Sequence, residues 1–305
     1  MLDRFDEESR RGRPHARPAD GGQRPRRRPV GAAGSRRRGK RHVSFRGWRP
    51  AAGSRPDPRG LRILLLFRGS RRQPLAGAGS RSQIAPERVR DDPRNPDPGF
   101  ADLYASLPDA EDLWPWLDWC KAAEPPVLYL GIGAGRLAVP LHRAGIELVG
   151  VDAHPAMLAR MRERIPGIEV HQALIEELRL KRGFDLVIGP SSILARDANL
   201  AAAARHVRAG GRLGMELMNP HWIAHGDHAG LRVAGGGMEV DYTLPDGSVV
   251  TQIVDQLEGA VTAPEQTEER LDRHWLKLEW MGGRPDDELT ESPTYFVLAR
   301  ALHTS

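Results

Sequence analysis

From residue 100 onward, apolar residues gather into short runs separated by longer stretches in which they recur every three or four positions. The runs at 127–130, 146–152, 168–173, 184–189 and 212–218 carry few charges, and a strand covered on both faces needs no polar alternation, so each predicts a buried strand. The stretches at 134–143, 157–165 and 199–209 have the helical period. Punctuation agrees with this division. Gly145 stands where the first helix closes, Pro155 where the second begins, and Asp197 and Gly210 where the third is capped and ended. Residues 100–120 read as one or two helices, with Pro108 and Pro115 as breaks or first turns. Strands alternating with helices predict the α/β class: a doubly wound parallel sheet joined by right-handed crossovers.

The alternation stops near residue 220. Residues 238–259 read as a hairpin with Pro245-Asp246-Gly247 as its turn, 267–280 as one or more further strands, and 294–301 as a final strand. An antiparallel β insertion over about 220–279 is therefore expected, with no helix between the strand HWLKL at 274–278 and the one at 278–283.

Charge divides the chain at the same place as pattern. Residues 1–99 hold 25 Arg and one Lys against 10 Asp or Glu, whereas 100–305 hold 19 basic and 30 acidic residues. The first segment also carries 12 Pro and 13 Gly and no sustained period; only 61–67 resembles a strand. Such text buries too little apolar surface to offset a backbone ordering entropy of about 1–2 kcal/mol per residue, so 1–98 is expected to be a disordered extension and 99–305 the folded domain. Two readings of the extension stay open. It is a tail without a specific role, or a start codon called too early in GC-rich DNA, since the chain has 41 Arg and 4 Lys; or it is an electrostatic arm for nucleic acid. No apolar run approaches the ~20 residues of a membrane helix. The first residues have no apolar signal region, and the single cysteine, Cys120, excludes an internal disulfide, so a cytoplasmic location is expected.

The chemistry concentrates after the first strand. Leu130-Gly131-Ile132-Gly133-Ala134-Gly135-Arg136 is a glycine loop between strand and helix, and Asp152 ends the next strand 17 residues after Gly135. Missing side chains let a ligand lie against backbone N–H groups, and a carboxylate at the neighbouring strand end can accept from both hydroxyls of a ribose. The pair points to a nucleoside at the carboxyl ends of the strands. The dinucleotide fingerprint G-x-G-x-x-G does not fit, because the third glycine falls one position early and Arg136 takes its place.

With VDAHPAML following at 151–158, the chain resembles the class I S-adenosylmethionine-dependent methyltransferases over roughly 100–301. The resemblance implies a Rossmann-like seven-stranded sheet with a β lid after its fifth strand, and S-adenosylmethionine as methyl donor. It places Leu130, Gly131, Gly133, Ala134 and Gly135 along the methionine part of the cofactor, Asp152 on the ribose, and Ala153 and Met157 beside ribose and adenine. Leu174 and Ile175 would flank the adenine, Pro190 would edge the acceptor site, and Tyr104 would help cover the cofactor. Two positions depart from the family: it usually has acids where this chain has Tyr129 and Leu174. The family also usually has a helix before its sixth strand; here the sixth strand is expected to be fed straight from the lid, or a segment is missing.

The activity so implied is transfer of a methyl group to an N or O atom of a small molecule by in-line displacement, without an obligatory base. Ser191, Ser192, His171 and His221 are the candidates to take an acceptor proton. The alternatives are a nucleic-acid methyltransferase using the basic arm, its only route to nucleic acid, and a catalytically silent binding module. His221, His225, Asp227 and His228 read as solvated loop residues, so no metal is expected, and Trp114, Trp116 and Trp119 as helix packing.

Overall fold

The computed structural model describes residues 87–224, 228–234, 236–255, 261–285, 287–289 and 292–302. The expectations of disorder over the first 86 residues and of a strand at 61–67 fall outside them. The elements run β1 (Glu87–Arg90), α1 (Pro98–Ser106), α2 (Trp116–Lys121), β2 (Val127–Leu130), α3 (Ala138–Arg143), β3 (Leu148–Asp152), α4 (Pro155–Arg164), β4 (Glu169–Gln172), β5 (Phe184–Gly189), α5 (Asp197–His206), β6 (Val207–Met218), α6 (Pro220–Ala224), β7 (Leu231–Ala234), β8 (Gly237–Thr243), β9 (Val249–Val254), α7 (Pro264–Asp272), β10 (Leu276–Gly282) and β11 (Thr294–Ala301).

Seven strands form the main sheet in the order β10-β11-β6-β5-β2-β3-β4. All pair parallel except β11, which is antiparallel to both neighbours. The order reverses between β2 and β5, and the crevice outside the strand ends there is where such sheets bind ligands. The four residues of β2 are all buried, as a run without alternation requires. Apolar clusters lie on both faces, one around Leu128, Val187, Leu213 and Tyr295, the other around Trp116, Tyr129, Leu141 and Phe296. Trp114, Trp116 and Trp119 pack edge-on against Phe296 and Trp280.

A second sheet, in the order β1-β9-β8-β7, is the lid. Its hairpin turns where Pro245-Asp246-Gly247 places it, with Asp246 accepting from Ser248 N–H at 2.9 Å. Three expectations need correction. The folded part reaches back at least to Glu87, because β1 pairs parallel with β9 from Glu87↔Val250 to Arg90↔Ile253; a division at residue 98 separates that strand from its sheet. Residues 264–272 are a helix rather than strand: Pro264 starts it, and Pro264, Thr267 and Leu271 are buried at helical spacing. This is the helix before strand β10, so no segment is missing, and the insertion ends before residue 264 rather than at 279.

Boundaries shift elsewhere. Helix α3 starts at Ala138 instead of residue 134, leaving a longer glycine loop. Helix α5 ends at His206, where the chain passes directly into β6, and Gly210 (φ 71°) sits within an irregularity of that strand. Asp197 is the first residue of α5 and accepts from His274 Nε2 at 3.0 Å instead of capping the helix.

Candidate functional site

The loop after β2 bends back under the strand ends through three left-handed glycines, Gly131 (φ 69°), Gly133 (φ 56°) and Gly135 (φ 91°). Each is close-packed differently. A Cβ on Gly131 would stand 2.3 Å from Ile193 Cδ1, and one on Gly135 2.6 Å from Met161 Sδ. One on Gly133 would meet only Met157 Sδ, at 4.0 Å, among the described residues. Gly133 therefore presents bare backbone to open space.

Asp152, at the end of β3, is tied to that loop. Its Oδ2 accepts from Gly133 N–H and its Oδ1 from His154 N–H, each at 2.8 Å. The two bonds hold the carboxylate against rotation and leave lone pairs on both oxygens for a further ligand. Burial pushes its pKa up, and the N–H donors oppose that shift. His154 in turn donates from Nε2 to the carbonyl of Asp97, 2.9 Å away, and Asp97 caps α1 through Gly99 N–H at 2.9 Å. Helix α1, the glycine loop and the start of α4 thus meet as one cluster, in which Tyr104 packs beside Ala101, Ala134 and Met157. Leu130 and Ile175 are buried in the core below, while Ala153 and Leu174 are half-buried at the cleft side of their strand ends.

After β5 the chain turns sharply. Pro190 is buried, and Ser191 (φ 56°) and Ser192 (φ 60°) both take left-handed conformations, at about 1–2 kcal/mol each for a residue with a Cβ. Glu216 on β6 holds this turn: its Oε2 accepts from Ser191 N–H at 3.0 Å, its backbone carbonyl from Ser192 N–H at 3.0 Å, and its Oε1 from Thr294 Oγ1 at 3.2 Å. Glu216 is buried, and its pKa is raised by that burial. Ser192 Oγ accepts from Met218 N–H at 2.6 Å, so its hydroxyl belongs partly to the turn. His221 pairs with Glu265 at 2.9 Å on the first turn of α7. His171 lies on the edge strand β4 and bonds Glu169, three strands from β5. His225 and Asp227 lie outside the described residues, among which no group of three or more His, Cys, Asp or Glu could hold a metal.

The second sheet meets α1 at Tyr104. Tyr104 of α1 stands 4.7 Å from Phe100 and 6.4 Å from Tyr242 of β8 between ring centroids, with Arg136 6.0 Å over its face. Tyr242 donates to Gln252 Oε1 at 2.7 Å, and Gln252 Nε2 donates to Asp91 at 3.1 Å.

Comparison with known proteins adds the family. A family model described as a methyltransferase domain matches residues 127–211, which run from β2 into β6 and contain the glycine loop and Asp152. The segment from β2 into β6 is thus similar to a methyltransferase domain. The chain's fold is shared with the CcbJ methyltransferase from Streptomyces caelestis (TM-score 0.52, 18% identity, 67% of this chain and 96% of that one). It is also shared with an S-adenosylmethionine-dependent methyltransferase from Clostridium acetobutylicum (TM-score 0.51, 16% identity, 67% and 98%). A search of curated proteins finds no match.

The residues of this crevice fit S-adenosylmethionine: the open face at Gly133 accommodates a chain lying on the backbone, and the fixed carboxylate of Asp152 suits a ribose. The two departures from the family have different consequences. Tyr129 is buried among Trp116, Trp119 and Phe296, and burial pushes its phenol far up, so it contributes packing and no charge. Leu174 precedes a short 3-10 turn, Ile175–Glu177, and offers an apolar edge. Sequence reasoning missed Asp91, Tyr242, Gln252 and Glu216. Glu216 had a signal, a carboxylate inside an otherwise apolar strand; Asp91 had none, standing in Arg-rich text.

Proposed function

We propose that the crevice between the glycine loop and Asp152 binds S-adenosylmethionine and that the enzyme passes its methyl group to an N or O atom of a small molecule held beneath the lid. The observation that carries this is Asp152, fixed by Gly133 and His154 N–H at a topological switch point. Leu130, Gly131, Gly133, Ala134 and Gly135 line the methionine side, Asp152 takes the ribose hydroxyls, and Ala153, Met157, Leu174 and Ile175 border the base. Tyr104 covers the bound donor from α1, and Pro190, Ser191 and Ser192 edge the acceptor side.

The cofactor supplies a methyl carbon already activated by its sulfonium. The protein's part is then alignment and exclusion of water, for which effective concentrations of about 10⁵ M and above are available to well-oriented groups. The strained Ser191–Ser192 turn, clamped by Glu216, fixes the acceptor side relative to the donor side. Phe100, Tyr104 and Tyr242 close the lid side with aromatic surface. The reading includes a cytoplasmic enzyme whose single cysteine is reduced and buried. Label from methyl-labelled S-adenosylmethionine should enter a small-molecule metabolite extract with the wild-type chain and not with Asp152→Ala. Label entering equally with both chains contradicts the assignment of Asp152.

A further inference from the structure

We propose that His154 is a positioning residue that ties donor binding at Asp152 to the pairing of β1 with the second sheet, which makes the segment 90–97 part of the donor site; this rests on the donor site assigned above. The link is an unbroken series of hydrogen bonds. Oδ1 of Asp152 accepts from His154 N–H at 2.8 Å. The ring of the same residue donates from Nε2 to the backbone carbonyl of Asp97 at 2.9 Å. Asp97 then uses both carboxylate oxygens: Oδ1 accepts from Gly99 N–H at 2.9 Å, at the start of α1, and Oδ2 from Arg90 N–H at 2.8 Å, in the last residue of β1. One residue further, Asp91 N–H donates to Ile253 O at 3.0 Å and continues the β1–β9 pairing. A carboxylate of one sheet and a strand of the other are thereby joined through His154 and Asp97.

Stability alone does not account for an imidazole at this position. His154 is the N-cap residue of α4 yet makes no capping bond, where Ser, Thr, Asp or Asn would stabilise the helix. The residue is only 7% exposed, and its Nδ1 is buried with no hydrogen-bond partner among the described residues. A buried ring nitrogen without a partner costs free energy that an apolar side chain in the same space would not. Nor does the Asp97 carbonyl depend on the ring, because it also accepts from Phe100 N–H at 3.0 Å. What the imidazole adds is a directed bond from the residue that holds Asp152 to the residue that holds β1.

The consequence runs in both directions. Asp152 is held at Oδ2 by Gly133 N–H at 2.8 Å and at Oδ1 by His154, so a ribose bonded to that carboxylate steadies the turn at 152–154. The steadied ring holds Asp97, and Asp97 holds β1. Coupling between two sites is reciprocal, so a well-paired β1 must in turn raise affinity for the donor.

The full chain is compared with His154→Leu, with His154→Gln, whose amide can donate from the place of Nε2, and with Asp97→Ala, which frees Arg90 N–H and Gly99 N–H without altering residues 152–154. S-adenosylhomocysteine is the probe, in calorimetry and in hydrogen exchange of peptides 87–92 and 249–254. Its binding to the wild type should slow exchange in both peptides by about threefold or more. His154→Leu should melt close to the wild type, yet bind the probe about fivefold or more weakly and show no slowing at 87–92. His154→Gln should restore both. Asp97→Ala should lose the slowing together with a similar fall in affinity, although it touches neither Asp152 nor the glycine loop. Wild-type affinity in His154→Leu, a His154→Leu chain that melts far below the wild type, no slowing at 87–92 in the wild type, or full slowing retained by Asp97→Ala overturns the proposal. Failure of the wild-type chain to bind S-adenosylhomocysteine overturns the donor site instead.

Discussion

Gly133 and Gly131 stand two residues apart in the same loop, and the structure gives them opposite sensitivities. An alanine at Gly133 must adopt φ 56°, which costs about 1–2 kcal/mol, partly offset by about 0.4–1 kcal/mol from a less flexible unfolded chain. No steric charge is added, since its Cβ would have only Met157 Sδ at 4.0 Å for company among the described residues. Gly133→Ala should therefore cost about 1 kcal/mol, a fall in Tm of about 2–4 °C for a domain of this size. The same change at Gly131 carries the same strain plus a clash, with Ile193 Cδ1 only 2.3 Å from the new Cβ. Overpacking adds about 1–3 kcal/mol, so Gly131→Ala should lower Tm by about 4–16 °C. Binding should rank the other way relative to stability. The open face at Gly133 is where the donor lies, so its methyl group should weaken S-adenosylhomocysteine by at least about tenfold, or 1.4 kcal/mol, in calorimetry on a chain that is still folded. Binding by Gly133→Ala at the wild-type level, or a Gly131→Ala chain as heat-stable as the wild type, refutes the geometry assigned to the loop.

Other outcomes follow from single contacts. Glu216→Ala leaves Ser191 N–H and Thr294 Oγ1 without their acceptor and should cost about 2–4 kcal/mol with loss of methyl transfer, whereas Glu216→Gln, which retains an acceptor, should keep most stability in thermal melts. Because burial raises Glu216, its ionisation opposes folding, so stability of Glu216→Gln relative to wild type should improve as pH rises from the ordinary glutamate range through the raised folded value. His206 accepts from Leu180 N–H at Nε2 (3.0 Å) and so donates from Nδ1 to Ala202 O (2.7 Å), a neutral tautomer consistent with its lowered pKa. Stability from that arrangement is present above about pH 6.5 and lost as pH falls through the lower folded value; the drop in Tm from pH 7.5 to 5.5 should be smaller in His206→Gln. A chain starting at residue 92 loses β1 and the buried Val89, and should melt about 3–12 °C lower than one starting at residue 85.

The parts legible in the sequence were those whose backbone demands particular residues. Left-handed turns at 131–135 require glycine, and a central parallel strand requires an unbroken apolar run such as VLYL, so both could be read without the fold. Asp152 was legible because its place at a strand end follows from those two. What was hidden depends on distant partners. Strand β1 has the text ERVR, with only Val89 buried, and becomes a strand because β9 offers an open edge. The stretch 267–272 looked like strand because HWLKLEW follows it without a break, whereas Leu271 and Thr267 face the core only once the turn after Arg273 separates helix from strand. Asp91 and Gln252 are 161 residues apart, and no local period could have joined them.

The central claim is that Asp152 marks a site for S-adenosylmethionine, and calorimetry tests it most directly. Wild-type chain titrated with S-adenosylhomocysteine should bind one equivalent, and Asp152→Ala should lose about 1.5–3 kcal/mol of that affinity for each of two missing charge-assisted hydrogen bonds. NADH should give no heat with either chain. Binding of NADH by the wild type with none of S-adenosylhomocysteine, or equal binding of the latter by Asp152→Ala, contradicts the account.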